Sequence, residues 1–466
     1  MSSIFRVALT LLAVTAFVWA DPLIVVSQAD QTLRGNLLIF VTPAEVRFRP
    51  ETPGPNMAYG SRIVARKGIE LAPGQSVEVD IGEPQPGEQV TAYLDSRPDF
   101  MVEMGPGEGE WYSSAPLRWP GTARIALDSE RRPYRPKLPA WYQQHQLVSQ
   151  HLLTAGFTPE QATVRFLVGL PPGYHQTARR YPALYVTSGF NGNRYTYLSR
   201  YRSFRAEMQQ YPMILISLDS SGEFGHHLYL DSPANGPRGQ VLVDEIVTYV
   251  DAHFRTLPSA DHRAIYGHSS GGWTAISARQ RYPDVFGTAL ATSPDPLHFK
   301  NWWAPDSDNV YRHADGSPHM LFGPLSLEDF TRPELLTGAA GQMAAFEACF
   351  SPGSLGAPRP MFDRQTGHID PEVWAYWEAH HDLYLWARAH PEEARRRFDG
   401  HLYLYVGEKD EFGLAPVAAE FSQLLDGLGI KHLYQVAPGA GHSDYVEKDA
   451  FLRQLWSTAY QAAAAP

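Results

Sequence analysis

Cysteine is almost absent from this chain: among 466 residues the only one is Cys349. No disulfide, cysteine-based zinc site or iron-sulfur cluster can form within one chain, so its stability has to come from packing. Positive charge is also short, with 39 Lys and Arg against 50 Asp and Glu and a formal net charge of -11. That balance argues against a general polyanion binder, and neither nucleic acid nor an anionic membrane surface is the expected partner. Long apolar runs are missing too. The longest, Val7 to Trp19, falls short of the roughly 20 residues a spanning helix needs, so no membrane span is expected. No His-Glu-x-x-His helix occurs, and Asp306-Ser-Asp308-Asn lacks the remaining ligands of a calcium loop. The sequence therefore predicts no catalytic metal and no cofactor.

What is present begins with a leader-like segment. Arg6, the apolar run and the small residue Ala20 before Asp21 read as a secretory signal peptide over residues 1–20. No cysteine follows the cleavage point to carry a lipid. The expectation is export to the periplasm or the medium as a soluble protein. Residues 21–130 then alternate apolar and polar positions, as in Val77, Val79 and Ile81 or Val90, Ala92 and Leu94, between Pro and Gly turns. Period two with turn punctuation predicts a small antiparallel β domain, sandwich-like, with a packing or partner-contact role. Residues 131–140, rich in Pro and Arg, read as a stiff connector.

From residue 141 to 466 short apolar runs alternate with helix-length segments, which predicts a mostly parallel sheet covered by helices. The candidate strands are Val164 to Val168, Ala183 to Thr187, Met213 to Leu218, Ala264 to Tyr266, Thr288 to Thr292, Leu402 to Val406 and His432 to Val436. Val241, Ile246, Val250 and Phe254 recur near helical spacing and mark a core face.

The sharpest chemical signal is Gly267-His-Ser269-Ser-Gly271-Gly272, placed between a strand and a helix. This is the pattern of a nucleophile elbow, in which glycines flank the serine because side chains there would collide with neighbouring backbone. Serine needs a base, and the base needs an acid to orient it. Asp410 lies in the loop after strand Leu402 to Val406, with Glu408 and Glu411 as alternatives beside it. His442 follows in Pro438-Gly-Ala-Gly441-His442. The chain order Ser, Asp, His suits a hydrolase triad. The backbone N–H groups of Ser270 and Phe190, the latter in the loop Ser188-Gly189-Phe190, are the candidate oxyanion hole. The paired histidines His226-His227 and His380-His381 read as surface or packing residues.

Leu170-Pro-Pro-Gly-Tyr174, Tyr181-Pro-Ala-Leu-Tyr185, the elbow, Tyr282-Pro-Asp-Val-Phe286 and Gly441-His442 together resemble the putative-esterase branch of the α/β-hydrolases. That branch includes S-formylglutathione hydrolases, feruloyl and acetyl xylan esterases, siderophore esterases and mycolyltransferases. The resemblance implies the fold and the triad, and leaves the substrate open. The chain departs from the branch at Ser188, where many relatives carry His or Asp. The fold expected is thus α/β: an α/β-hydrolase preceded by a small all-β domain.

An insertion over about 295–399 separates Ser269 from Asp410 and reads as a lid. Its Trp302, Trp303, Trp374 and Trp377 are the substrate-lid candidates, and Pro371 to Ala389 reads as one amphipathic helix. The function expected is a serine esterase working through an acyl-enzyme on a small-molecule or saccharide-linked ester. A catalytically silent binding or scaffold protein and an acyltransferase using the same triad are the alternatives. The sequence leaves the oligomeric state open.

Overall fold

The computed structural model describes residues 22–43, 62–82, 85–96, 110–118, 124–130, 136–190, 192–198, 201–222, 224–304, 306–322, 325–337, 341–446 and 448–464. The leader-like segment over residues 1–20 and the first half of the connector lie outside the described residues.

Two sheets account for the strands before residue 131. In the smaller, Leu23–Ser27 is flanked by Ser76–Val79 and Arg124–Leu127. The larger orders Arg62–Leu71, Leu33–Thr42, Gln89–Asp95, Trp111–Tyr112 and Ser129–Glu130, with Leu117–Arg118 also pairing to Gln89–Asp95. The alternating residues of both sheets meet in one core: Val25, Val79 and Leu127 from the first, Ile39, Ala92 and Leu94 from the second. This is how two half-apolar sheets hide their faces from water. One detail departs from the antiparallel expectation: Leu23–Ser27 pairs parallel with Arg124–Leu127.

The remainder is built on eight strands: β1 (Tyr142–Val148), β2 (Thr163–Gly169), β3 (Ala183–Thr187), β4 (Ile214–Leu218), β5 (Arg263–His268), β6 (Thr288–Thr292), β7 (Leu402–Gly407) and β8 (Leu433–Ala437). They lie in the order β1-β2-β4-β3-β5-β6-β7-β8, antiparallel at β1–β2 and β2–β4 and parallel throughout the rest. This is the α/β-hydrolase sheet. All seven predicted strands are present, and β1 is the addition. Its run Gln143-Gln-His-Gln146 is polar because the strand lies at the sheet edge, largely exposed.

Central strands are apolar on both faces, since successive side chains enter different cores. In β3, Tyr185 packs on one side with Trp273 and the helices, while Leu184 and Val186 pack on the other with Met208, Leu455 and Trp456. The segment from Val241 to Phe254 does bury Val241, Ile246, Val250 and Phe254. Its first part, Val241–Ile246, is a π-helix and only Val247–His253 is α. The five-residue step from Val241 to Ile246, against four-residue steps afterwards, fits the wider turn.

The expected single helix Pro371 to Ala389 is two helices, Pro371–His380 and Leu383–Ala389. The break falls at Asp382, whose carboxylate accepts from the Leu385 N–H as an N-cap and from the Phe299 N–H across the fold. A capping residue that also anchors a second segment is worth more there than two further residues of helix. The insertion is not a separable lid, because Trp303, Phe346, Phe350 and Trp377 belong to the same core as the sheet.

Candidate active site

β5 runs into the elbow at Ser269, whose φ of 57° and ψ of -124° put a non-glycine residue in a conformation that only surrounding structure can hold. The constraint is visible in the glycines. A Cβ on Gly267 would lie 1.9 Å from the Gly271 carbonyl oxygen, and one on Gly271 would lie 2.5 Å from that of Thr187. The Ser269 N–H donates to Thr292 O, and its own carbonyl accepts from Gly272, Trp273 and Asp295. Strand β6 and the loop after it thereby clamp the turn.

Asp410 and His442 converge from the ends of β7 and β8. His442 Nδ1 and Asp410 Oδ2 are 2.8 Å apart, and both residues are 8% exposed. The Phe412 N–H donates to the other carboxylate oxygen at 3.0 Å. The neighbouring acids do different work: Glu411 accepts from the His442 N–H at 2.7 Å, and Glu408 from the Gly439 N–H at 2.6 Å. They hold the backbone of the histidine loop, and Asp410 alone meets the imidazole. The Ser293 hydroxyl donates to the His442 carbonyl, and the rings of Phe412 and His268 lie 4.7 Å from the His442 ring. His268 is held between the Thr292 and Ser443 hydroxyls.

Ser269 and His442 line one cavity of about 360 Å³ together with Gly189 and Phe190. A Cβ on Gly189 would lie 3.0 Å from that of Ser269, so any larger residue would crowd the nucleophile. Ser270 opens the helix Ser270–Arg281, where the first N–H groups have no intrahelical acceptor. Buried His226 has Nε2 3.2 Å from the Ser188 carbonyl, while the Leu228 N–H reaches its Nδ1. It is therefore neutral, with the proton on Nε2. Burial pushes its pKa down to about 4, which keeps Nδ1 unprotonated and able to accept from the Leu228 N–H. So the departure at Ser188 is backed by a histidine from elsewhere in the chain.

Of the four tryptophans proposed for the lid, only Trp302 lines the cavity, and its Nε1–H donates to the Phe412 carbonyl at 2.6 Å. Trp303 and Trp377 are buried in the core, and Trp374, partly buried, packs against that core without lining the cavity. Aromatic spacing cannot distinguish a ring that faces substrate from one that faces another ring. Truncating Trp377, which is 0% exposed, would open a core void costing about 3–5 kcal/mol instead of reshaping the crevice.

One residue of the site escaped the sequence reading. Asp295, 5% exposed, follows β6 by three residues, and its Oδ1 accepts the Ser269 hydroxyl at 3.4 Å. Burial raises its carboxyl to about 6, partly offset by the Ser270 hydroxyl, by His442 and by Ser269. The readable signal was its place in a loop at a strand's carboxyl end, where open α/β sheets bind ligands. Among the described residues, no group of three or more His, Cys, Asp or Glu is arranged to hold a metal, and no helix is long and apolar enough to cross a membrane.

Residues 160–427 match the family model described as putative esterase, a span that includes Ser269 and Asp410 and ends before His442. Two esterases of Mycobacterium tuberculosis, from strains CDC 1551 and H37Rv, are each 27% identical over 129 residues. That stretch is 27% of this chain and 27% of each relative's length. Among solved structures, an S-formylglutathione hydrolase from Agrobacterium tumefaciens is 17% identical with a TM-score of 0.45, covering 70% of this chain and 97% of its own. The fluorophosphonate-binding serine hydrolase F of Staphylococcus aureus is 15% identical with a TM-score of 0.44, covering 68% and 98%.

Proposed function

Because the chain belongs to the putative-esterase family, we propose that it is an exported serine hydrolase that cleaves a carboxylic ester through an acyl-enzyme. The observation that carries this reading is that His442, 2.8 Å from Asp410, lines the same cavity as a serine held at positive φ. In the first half-reaction the Ser269 hydroxyl swings from Asp295 toward His442 Nε2 and attacks the ester carbonyl as the imidazole takes its proton. The developing oxyanion is met by the N–H groups of Ser270 and Phe190. His442 then gives its proton to the departing alcohol. Asp410 accepts from Nδ1–H, fixes the tautomer and stabilises the imidazolium. Water, activated by the same histidine, attacks the acyl-Ser269 ester and releases the acid.

Export rests on the leader-like segment over residues 1–20, and the two sheets before residue 131 form the sandwich-like domain of the exported chain.

A 4-nitrophenyl ester tests the acyl-enzyme. Rapid mixing should release a burst of nitrophenol close to one equivalent per protein, followed by slower steady turnover limited by deacylation. The triad needs no metal, so EDTA should change neither phase. Steady release without a burst, together with loss of activity in EDTA restored by a divalent ion, would overturn this reading.

A further inference from the structure

The cavity wall combines two features that the triad does not use. The rings of Phe190, Tyr197, Trp302, Phe330, Phe346 and Phe412 line it. Among its described lining residues there is no Lys or Arg, and Asp295 is the only acid. The Asp295 carboxylate is buried, and its Oδ2 makes no hydrogen bond of good geometry, although the Ser270 hydroxyl lies close enough to favour the charged form. An acid so placed, beside the nucleophile and with no Lys or Arg in the wall, is costly to keep unless something compensates it. Aromatic faces attract cations, and rings arranged around a carboxylate are the chemistry that recognises alkylated ammonium groups.

We propose that Asp295 and this aromatic wall select esters bearing a cationic group, ammonium or quaternary ammonium, and disfavour uncharged and anionic ones. This rests on the esterase reading above. The cation compensates the buried carboxylate as the substrate binds. Asp295 releases Ser269 when the cation takes over as its partner, which leaves the hydroxyl free to meet His442. An anionic substituent would meet Asp295 with no Lys or Arg in the wall to pair it.

Two isosteric ester pairs test the proposal and separate the two places the cation can sit. The acyl pair is 4-nitrophenyl 4-(trimethylammonio)butanoate against 4-nitrophenyl 5,5-dimethylhexanoate. The alcohol pair is hexanoylcholine against 3,3-dimethylbutyl hexanoate. In at least one pair the wild-type protein should prefer the cation by about tenfold or more in kcat/KM, expressed mainly in KM. Asp295→Asn should bring that preference to within about twofold of unity.

A second measurement covers the case in which the variant does not fold. Asp295 is ionised above its raised pKa of about 6 and neutral below it. The wild-type preference should therefore be full at pH 8 and fade as pH falls through 6, while the quaternary ammonium keeps its charge. His442, Asp410 and Cys349 are the other titratable groups near Asp295. Protonation of His442 slows both members of a pair alike and cancels in the ratio. Indifference to charge in both wild-type pairs, or a preference unchanged in Asp295→Asn, overturns the proposal and leaves the esterase reading standing. Failure to cleave any of the four esters overturns that reading instead.

Discussion

Replacing Ser269 by Ala should lower kcat on any ester the protein cleaves by roughly 10⁴ to 10⁶, with KM little changed. The size follows from the site: Ser269 holds the strained elbow position, against Gly189 and on the cavity it shares with His442. The fold should survive. Alanine carries no more bulk than serine at φ 57°, the backbone bonds to Thr292, Gly272, Trp273 and Asp295 do not use the side chain, and one weak hydrogen bond to Asp295 is lost. Thermal unfolding and ester turnover, measured on the same preparation, separate the two effects. Turnover within tenfold of wild type by a folded variant would remove Ser269 from the role of nucleophile.

Asp410→Asn should cost about 10⁴ in kcat at nearly constant volume. The amide can no longer stabilise the imidazolium that forms as Ser269 gives up its proton, and it can turn a donor toward Nδ1 and favour the wrong tautomer. Rescue by a neighbour is blocked by geometry. Glu411 is engaged by the His442 N–H and Glu408 by the Gly439 N–H, so neither can reach the ring without freeing the loop that carries it. Glu411→Gln should therefore have a much smaller effect than Asp410→Asn. The reverse order would reassign the acid.

Much of this was legible in the sequence, for reasons that also mark where legibility stops. Central strands such as Ala183–Thr187 are buried on both faces, so their apolar runs stand out. The elbow is readable because steric exclusion at Gly267 and Gly271 leaves a fixed pattern. The edge strand Tyr142–Val148 escaped because exposure allows it glutamines. Asp410 could be separated from Glu408 and Glu411 only by structure, since three acids within four residues differ in where the turn points them. Three of the four tryptophans of the insertion were misplaced for a related reason: Trp302 and Trp303 are adjacent in sequence, yet one faces the cavity and the other the core. Asp295 had only its place after a strand's carboxyl end to mark it, because its significance lies in a contact with Ser269 that no local spacing encodes.

A covalent acyl group on Ser269 can be located directly by mass. Wild-type protein mixed with a 4-nitrophenyl ester, quenched in acid during the burst and digested, should give one peptide heavier by the acyl mass. Fragmentation should place that mass on Ser269, and the modification should vanish when deacylation is allowed to finish. An acyl group found on another residue, or none on any peptide while nitrophenol is being released, would rule out Ser269 as the acylated nucleophile.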